Sequence, residues 1–594
     1  MGEEIEHNCG VAAVVLLEDL ANQRGRVLPA LYQLMRLNQP RGRDGAGILT
    51  INDGKIHERI VSEGPVDSLF RAYTDADQAK FFGDHTAEGA LGHNRYATTG
   101  QSLLQLLHPV LHNDPHLTSK FGFCFNGNLA NWIAVKQLLE EICNYNFDLG
   151  NDTEVLEILL RHELRSFNPQ NKVTLEQKLA NKGLQSDTDL AKAFLENLRE
   201  RESTGQDWGS VFYHLAKVID GAWTLGLVRG TNSGHGEYIF ARDPHGFRPA
   251  FWIIDTRRRM FAFSSESAGL GSISPQSKVQ TLPPGYYLRV HNGQVEGPVS
   301  FMRSTITEVS PCLLDAHYFS AANSLVNVGI SNSVTMTNYD ARYMAGRLMA
   351  DNDPLIRVVN RYNTFVVAIP NAALPFVEGL AEGLNLSSRQ GIIKIGGRTF
   401  TKDSGDRGVA SAYSYNPSIS GRRIILADDS IVRLNTLPEV IAQVYMHGPS
   451  EIHVRIGTPP IIGICPYGIN LRTLDELGAT PFVDQFRRSY PDGSIDDMVS
   501  YIDQAMLAEI EKRTKGILET RYGLSPNEIK GPIVASLRYL NHSNLTSSFE
   551  KVETMDGIVR TGFDGKLCRG CITGKYPTSA GQKAYDAQTA ARPT

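Results

Sequence analysis

The sequence lacks any apolar run long enough to cross a bilayer, which needs roughly 20 consecutive apolar residues. Its best early candidate, Val11 to Leu17, stops at Glu18. The opening segment MGEEIEHN is acidic and polar, whereas a secretory signal starts basic and then becomes apolar. These absences predict a cytoplasmic protein without a membrane partner.

A basic block is also missing, and the formal net charge of −5 at pH 7 is mildly negative. Nucleic-acid-binding chains concentrate Lys and Arg in one stretch or on one face, so the sequence predicts no nucleic-acid partner. It shows no internal repeat and no low-complexity tract, which argues against solenoids and arrays. With 594 residues the chain is long enough for two or three ordinary domains.

Cysteine is scarce, and its number is odd. The seven cysteines are Cys9, Cys124, Cys143, Cys312, Cys465, Cys568 and Cys571. An odd count in a large cytoplasmic chain argues against a disulfide framework and favours catalysis or metal ligation for any cysteine outside the core. We interpret Cys124 and Cys143 as core residues.

The first third contains short apolar strands separated by glycines and turns. Examples are CGVAAVVLL, GAGILTI, ALGHNRY, FGFCFNGN, GAWTLGLVRG, GEYIFAR, PAFWII and MFAFSS. They predict stacked antiparallel sheets with a few helices. Leu129 to Cys143 and Thr153 to Arg165 are helix candidates, the second capped by Asp152. The polar, helix-prone residues 166–208 predict an insertion on the surface.

From about Tyr343 the pattern changes to strands that alternate with helices. FVVAIP precedes the helical LPFVEGLAEGL, and GIIKIG, RRIILA and EIHVRIG follow as further strands. This alternation predicts an α/β domain with a parallel sheet. We place that domain at residues 306–500, and a tail that is helical and then irregular at 501–594.

The segment around Cys9 suggests an N-terminal nucleophile. A thiolate is a strong nucleophile, and a free α-amino group with a pKa of about 8 can act as its general base. If residues 1–8 are a propeptide that is removed, Cys9 carries both groups. Cys-Gly alone is weak evidence, because a small buried cysteine that opens a strand gives the same pattern.

Polar motifs in the same third favour the catalytic interpretation. Arg41 lies in RGRDGAGI and Arg95 in GHNRYATTG, where a guanidinium at a strand end suits bidentate binding of a carboxylate. Asn126 and Gly127 place an amide side chain beside a backbone N–H, a pair that can hold a developing oxyanion. Asp152 can bind an ammonium group.

In their order along the chain, these segments resemble those of the amidophosphoribosyltransferase family. The shared motifs are Cys-Gly, the Arg-Gly run that ends in Ala-Gly-Ile, Gly-His-x-Arg-Tyr-x-Thr, Asn-Gly-Asn and a box that reads Asn151-Asp-Thr-Glu154 here. Arg43 replaces the glutamine of the second motif, and Asp243 to Pro249 and Ser265 to Ser267 are further matches. The resemblance implies a class II glutamine amidotransferase domain over residues 9–305. Its fold would be the four-layer sandwich of N-terminal nucleophile hydrolases, and a type I phosphoribosyltransferase-like domain would follow.

The resemblance also implies a role for each motif residue of the first domain. The nucleophile would be Cys9, and Arg41 would orient its α-amine. The residues expected in catalysis are Cys9, Arg41, Asn126 and Gly127. The residues expected to bind glutamine are Arg95, Tyr96, Thr98 and Asp152.

A second candidate site follows the strand RRIILA. Asp428 and Asp429 at its end resemble the phosphoribosyltransferase signature, although an acidic pair at a strand end often only caps a helix. The resemblance implies that this pair contacts ribose hydroxyls and is a candidate ligand set for Mg2+. Ser430 and Thr436 would belong to the turn that binds the 5-phosphate at a helix N-terminus.

Four departures from the family pattern fall in that second site. The family has glycine at the position of Leu434, and glycine tolerates a positive φ that leucine resists. The pyrophosphate loop of the family is here Pro370-Asn-Ala-Ala373, without its aspartate. The segment from Lys394 to Phe400 is shortened, and Ala321-Ala-Asn-Ser324 replaces Arg-Pro-Asp-Ser. The departures predict a site for phosphoribosyl pyrophosphate (PRPP) that is weakened or repurposed.

The remaining cysteines suggest a metal centre. Cys568 and Cys571 form a C-x-x-C pair, which by itself fits zinc, redox chemistry or neither. The segment CRGCITGKYPT resembles the end of iron–sulfur-containing family members, which use two further cysteines matched here by Cys312 and Cys465. The resemblance implies that the four thiolates hold one structural 4Fe–4S cluster, with zinc as the alternative.

Three functions stay open from the sequence. The leading hypothesis is glutamine hydrolysis followed by transfer of ammonia to PRPP, the reaction that opens purine biosynthesis. A second keeps the glutaminase but gives the α/β domain another ammonia acceptor, and a third makes that domain a purine- or phosphate-sensing module. We also expect a homo-oligomer, with purine nucleotides as regulators.

Overall fold

The computed structural model describes residues 9–17, 25–96, 104–112, 120–164, 169–181, 183–204, 207–304, 309–327, 336–395, 413–554, 557–561 and 566–592. The expected propeptide 1–8, Thr98 and most of the shortened segment after Lys394 lie outside these ranges. Within the described ranges, each helix is either too short or too polar to span a bilayer.

Two antiparallel sheets form the centre of the N-terminal half. Their strands are β1 (Gly10–Leu16), β2 (Gly45–Asn52), β3 (Lys55–Glu63), β4 (Gly89–Arg95), β5 (Val110–His112), β6 (Phe121–Leu129), β7 (Gly221–Arg229), β8 (Glu237–Arg242), β9 (Phe251–Asp255), β10 (Met260–Ser264), β11 (Gln280–Thr281), β12 (Tyr286–His291) and β13 (Gln294–Ser300). The first sheet has the order β11-β9-β10-β1-β4-β2-β3, and the second has the order β13-β12-β8-β7-β6-β5. Val11, Leu91 and Phe240 are fully buried in the core between them.

Helices cover the outer faces of both sheets. They are α1 (Val27–Leu37), α2 (Asp75–Asp84), α3 (Trp132–Cys143), α4 (Asp152–Leu164), α5 (Pro169–Ala180), α6 (Thr188–Thr204), α7 (Trp208–Val218) and α8 (Ser267–Ile273). The helices α1 and α8 pack on the first sheet, and α3, α4 and α7 pack on the second. This helix–sheet–sheet–helix arrangement confirms the predicted four-layer sandwich.

Three local predictions in this half need correction. Leu129 ends β6, so α3 begins only at Trp132. The cap of α4 is Asn151, whose Oδ1 accepts from the Glu154 N–H at 2.9 Å, so Asp152 lies in the first turn. The insertion is not purely a surface feature. Its helices α5 and α6 contribute Leu175, Phe194 and Leu198 to the core because their apolar residues share one face.

The C-terminal half is an α/β unit. Its strands are β14 (Thr364–Ala368), β15 (Ser387–Arg389), β16 (Ile392–Lys394), β17 (Tyr413–Tyr415), β18 (Arg423–Asp428), β19 (Glu451–Ile456), β20 (Ser536–Tyr539), β21 (Lys551–Thr554) and β22 (Gly557–Arg560). Its helices are α9 (Asn338–Asp351), α10 (Leu374–Gly383), α11 (Thr436–Met446), α12 (Thr480–Ser489), α13 (Ile495–Tyr522), α14 (His542–Ser547), α15 (Gly570–Thr573) and α16 (Ser579–Ala590). The strands β15-β14-β18-β19-β20 pair in parallel, which confirms the predicted parallel sheet.

The segment GIIKIG does not belong to that sheet, contrary to our prediction. It forms β16, which pairs antiparallel with β17 in a separate ribbon. Ile393 is 43% exposed and Ile395 is 54% exposed. A strand inside a parallel sheet is buried on both faces, so a segment with an exposed isoleucine row fits a ribbon better.

The predicted boundary near residue 500 is wrong, because it falls inside α13. Met506, Ile510 and Leu518 on this helix are fully buried in the core of the parallel sheet. The following strand β20 then completes the sheet as its last member. The α/β unit therefore continues well beyond residue 500, and its amphipathic helix and last strand belong to the same core.

The final segment returns to the N-terminal sandwich. Cys568 lies beside Cys312 in a parallel bridge, and its N–H donates to the carbonyl of Pro311 at 2.8 Å. At the start of α16, the N–H of Ala580 donates to Oδ2 of Asp220 at 3.0 Å. The described part of the tail therefore contacts both halves of the molecule.

Candidate functional site

Cys9 lies immediately before β1, the central strand of the first sheet. Its Sγ is 4.0 Å from the carbonyl oxygen of Tyr96, to which it donates. Burial raises the pKa of the Cys9 thiol, although the Tyr96 backbone and the cation of Arg95 oppose that shift. The thiol therefore stays protonated near neutral pH, and its use as a nucleophile requires a base.

Arg41 contacts Cys9 directly from a short 3-10 turn that precedes β2. Its Nε donates to the carbonyl oxygen of Cys9 at 3.4 Å. Its Nη1 pairs with Glu266, and its Nη2 lies 3.0 Å and 3.1 Å from the two carboxylate oxygens of Asp315. All three ionic side chains are almost fully buried. Arg41 is therefore held rigidly at the residue that carries the thiol.

Asp315 is shared by two guanidinium groups. It opens a π-helical turn in the C-terminal half, and its Oδ2 lies 3.1 Å from Nη1 of Arg248 in the sandwich. Burial raises the pKa of a carboxyl group, but Arg41 and Arg248 outweigh burial here and hold the pKa of Asp315 below its usual range. One buried carboxylate thus joins the two halves of the molecule beside Cys9.

Arg95 and Asp152 place opposite charges near the thiol. Arg95 ends β4 and Asp152 lies in the first turn of α4. Burial raises the pKa of Asp152 to about 6, against the opposing effects of backbone N–H groups and Arg95. Burial lowers the pKa of Arg95, against Cys9, Asp44 and Asp152. A cation and an anion side by side suit the carboxylate and ammonium groups of an α-amino acid.

Asn126 and Gly127 lie on β6, in the second sheet. Neither polar atom of the buried Asn126 amide has a hydrogen-bond partner within the part of the chain that the structure describes. Gly127 has φ +149°, and a Cβ there would lie 1.9 Å from the carbonyl oxygen of Ala222. Only glycine fits at that position, and the amide beside it keeps its donors for a ligand.

The loop that carries Cys465 supports this strand from the C-terminal half. Nδ2 of Asn128 donates to the carbonyl oxygen of Pro466 at 2.8 Å. The rings of Phe247 and Tyr467 stack with their centroids 4.2 Å apart. Nη2 of Arg248 donates to the carbonyl of Tyr467 at 2.5 Å. The position of the Asn126 strand therefore depends on the cysteine loop.

The structure brings the four predicted metal-binding cysteines together. Burial raises the pKa of the Cys571 thiol, and the neighbouring thiols of Cys465, Cys312 and Cys568 raise it further. The carbonyl of Cys571 accepts from the N–H groups of Ile462 and Gly463 at 2.8 Å and 2.9 Å. We refer to these four residues as the cysteine quartet.

The sulfur atoms of the quartet lie further apart in this structure than the ligands of a single tetrahedral ion. Among the described residues, no three of its sulfur atoms lie within 4.8 Å of one another. Four thiolates about 2.3 Å from one zinc ion would have sulfur–sulfur distances of about 3.8 Å. A cluster with several irons spreads its thiolate ligands further apart, since each binds a different metal atom.

The acidic pair lies where the sequence predicted, but the following turn is unusual. Asp428 ends β18, and the N–H of Asp429 donates to its Oδ1 at 3.0 Å. Ser430 is half-buried, and Thr436 is the first residue of α11. Leu434 has φ +57° and is only 3% exposed. The predicted backbone strain at Leu434 is confirmed, and the side chain is locked into the core.

Cys9, Arg41, Arg95 and Asp152 therefore lie close together, and Asn126 and Gly127 lie on β6 of the second sheet. Thr98 lies outside the described residues. Sequence reasoning missed three neighbours of that site, namely Glu266, Asp315 and Arg248. Glu266 and Arg248 belong to motifs of the sequence, but nothing in those motifs indicates an ion pair with Arg41 or with Asp315. Asp315 had no signal, because it follows Cys312 in a segment without regular periodicity.

Comparison with known proteins identifies relatives over most of the chain. No protein-family model matches it. Amidophosphoribosyltransferase 1, chloroplastic, of Arabidopsis thaliana is 27% identical over 455 residues, covering 75% of this chain and 67% of that protein. The amidophosphoribosyltransferase of Methanocaldococcus jannaschii is 26% identical over 591 residues, covering 96% of this chain and 98% of that protein.

A solved structure shares the fold. The glutamine PRPP amidotransferase from B. subtilis, complexed with ADP and GMP, superposes with a TM-score of 0.65. It is 22% identical in sequence, and the match covers 98% of this chain and 100% of that one. The sandwich and the parallel-sheet unit therefore occur together in another chain of known structure.

Substitution of Asp315 by Ala tests the shared carboxylate. It leaves two buried guanidinium groups with one carboxylate fewer, and breaking a buried ion pair costs about 3–5 kcal/mol. We expect a large fall in the denaturant midpoint of unfolding. Ser320→Ala is the matched control, since it removes only the hydroxyl hydrogen bonds to Asp315 and Arg41 and leaves both ion pairs in place. Its midpoint should fall less, although hydrogen bonds to charged groups are worth about 1.5–3 kcal/mol each. Equal midpoints for the two variants would contradict the central role of Asp315.

Proposed function

We propose that the chain is a member of the amidophosphoribosyltransferase family that hydrolyses glutamine at Cys9 and transfers the ammonia to PRPP in purine biosynthesis. One observation supports this most strongly. The thiol of Cys9 lies near the opposite, half-buried charges of Arg95 and Asp152, and the buried amide of Asn126 on β6 has no hydrogen-bond partner among the described residues. This combination suits an amino acid with a side-chain amide.

The proposed glutaminase step follows from those positions. Arg95 binds the α-carboxylate of glutamine and Asp152 binds its ammonium group. The thiolate of Cys9 attacks the side-chain amide carbon, and the oxyanion that forms is stabilised by Asn126 and the N–H of Gly127. The C–N bond breaks as the nitrogen gains a proton and leaves as ammonia. Water then hydrolyses the thioester and releases glutamate.

A base must take the thiol proton, because burial raises the pKa of Cys9. We propose that residues 1–8 are removed and that the new α-amino group of Cys9 is this base, since such amines have pKa values of about 8. The Nε of Arg41, bound to the Cys9 carbonyl, would fix the orientation of that amine. The two carboxylates on Arg41 keep its guanidinium in place.

For the acceptor half, we propose that Asp428 and Asp429 contact the ribose hydroxyls of PRPP and hold Mg2+. Ser430 and Thr436 would bind the 5-phosphate at the N-terminus of α11. A second candidate function, transfer of ammonia to another acceptor or a sensing role, is favoured by the buried, strained Leu434. Arg433 is also committed elsewhere, with bonds of 2.7 Å and 3.0 Å to Glu476.

The cysteine quartet fits a 4Fe–4S cluster, which we propose as its occupant. Thiolates are the ligands that such clusters use, and the spacing of the four sulfur atoms argues against one zinc ion. When bound, the cluster supplies a covalent cross-link between the C-terminal tail and the loop of Cys465. Purine nucleotides as regulators and a homo-oligomer remain proposals, as does a cytoplasmic location.

Substitution of Cys9 by Ala tests the main proposal. The variant should release no glutamate from glutamine, because the nucleophile is gone, but it should still form phosphoribosylamine from PRPP when free ammonium is supplied. The intact mass of the active protein should also match a chain that begins at Cys9. Glutamate release by the variant, or full activity of a chain that retains Met1, would contradict the assignment.

The pH dependence of KM for glutamine tests Asp152. Because its pKa is about 6, the carboxylate becomes protonated as the pH falls through 6 and no longer pairs with the ammonium group. KM should therefore rise below pH 6. Asp152→Asn should have a high KM that does not change between pH 5 and about pH 8, a range chosen around that pKa. A constant KM in the unmodified protein over the same range would exclude this role.

The cluster proposal predicts about four irons and four sulfides per chain after anaerobic purification. Cys568→Ser should lose both and unfold more easily, because metal binding and folding share free energy. Cys143→Ser is the control, since this cysteine lies apart from the quartet beside Asn171. Colourless protein with one zinc ion per chain would refute the cluster.

Reversion of the phosphate turn tests the acceptor site. Leu434→Gly with Asn435→Thr, combined with Asn371→Asp, should tighten PRPP binding by roughly a hundredfold, since each regained polar contact is worth about 1.5–3 kcal/mol. Glycine removes about 1–2 kcal/mol of backbone strain, but the lost buried side chain costs about 2–5 kcal/mol. The reverted protein should therefore be less stable.

Leu434→Ala is the matched control for this reversion. It deletes the side chain but keeps a residue that resists positive φ, so it should lose stability without a gain in PRPP affinity. Calorimetric titration at a temperature below the unfolding transition measures the PRPP affinity, and thermal unfolding measures the stability. If the unmodified protein already binds PRPP tightly and the reversions bring no improvement, the departures are neutral.

A further inference from the structure

Three ligand-type side chains converge on the first sheet, among residues to which neither proposed site assigns a role. They are His57 and Glu58 on β3 and His85, which follows α2. One ligand atom from each lies within 4.8 Å of the other two. Nε2 of His85 is 3.3 Å from Oε2 of Glu58, and the rings of His57 and His85 have centroids 5.8 Å apart.

A β-bulge brings His57 and Glu58 together. Thr50 on β2 pairs with Glu58, but the next residue, Ile51, pairs with Ile56, so His57 is the extra residue. Consecutive residues of a regular strand point to opposite faces. The bulge redirects one of them, and both side chains reach the same histidine ring. Because β3 is the edge strand of its sheet, the bulge does not disrupt a second neighbour.

His85 is the buried member of the group. Its side chain is only 5% exposed, and its Nδ1 has no hydrogen-bond partner among the described residues. A neutral imidazole nitrogen has a lone pair that can bind a metal ion. A simple hydrogen bond to Glu58 would satisfy Nε2 but would not require the bulge or the exposed His57.

We propose that His57, Glu58 and His85 bind a divalent transition-metal ion of the zinc class. Two imidazoles and one carboxylate are a common ligand set for such ions and leave one position open to water. Because His57 is exposed and Glu58 is half-buried, the open position is reached from solvent. The bound ion would tie the edge strand β3 to the end of α2.

Titration of the full-length protein with Co2+, followed by displacement with Zn2+, tests the site. The protein is purified anaerobically, so that the cysteine quartet keeps its own occupant. We expect one equivalent of Co2+ with a visible absorption band of nitrogen and oxygen ligation. His57→Ala and Glu58→Gln, both changes at solvent-accessible side chains, should each weaken binding by at least about tenfold, since even the outer partners of metal ligands contribute that much.

The matched control is His447→Ala, because His447 is an exposed histidine at the end of α11, outside the group. It should bind Co2+ as the unmodified protein does. Zn2+ should also raise the unfolding temperature of the unmodified and control proteins but not that of His57→Ala. Equal affinity in His57→Ala and the unmodified protein would overturn the proposal. The proposal would also be overturned if neither the unmodified protein nor the His447→Ala control bound Co2+.

Discussion

The buried carboxylate of Asp315 is the constraint on which the arrangement of the molecule depends. It accepts bonds from Arg41 and Arg248, two guanidinium groups of the sandwich, while its own backbone belongs to the C-terminal half. Two cations and two carboxylates, including Glu266, leave water together and must remain paired. The position of the Cys9 backbone, held by Arg41, is therefore determined partly by the other half of the chain.

The sequence predicted the layers of the fold well, because strand and helix periodicities are local. It predicted β1, β2, β4 and β6, the strand β14 before α10, and the strands β18 and β19 on both sides of α11. It failed for β20, since the four residues Ser536–Tyr539 follow a long helix and a loop without a repeating pattern. A strand of this kind is specified by the core that distant segments form around it, and not by a pattern in its own residues.

In the candidate site, too, features set by local sequence were predicted and features set by distant contacts were not. Motif residues such as Arg95 and Asn126 were found because their neighbours along the chain are distinctive. Asp315 was missed because its role comes from two arginines far away in sequence. At the phosphate turn, the sequence indicated that leucine is an unsuitable residue, and the structure shows why it is retained. Leu434 combines an unfavourable φ with a buried side chain, so packing stabilises a backbone conformation that leucine alone disfavours.

The contacts between the ends of the chain have a consequence for the timing of synthesis. Domains emerge from the ribosome from the N-terminus onward and begin to fold as units, so the sandwich with Cys9 is complete long before Pro466 and Ala580 are made. Yet Pro466 supports Asn128, beside the Asn126 strand, and Ala580 binds Asp220 of the same half. An unfinished nascent chain lacks both supports. Translation thus separates the assembly of the nucleophile from the completion of its surroundings, and only the full chain has both.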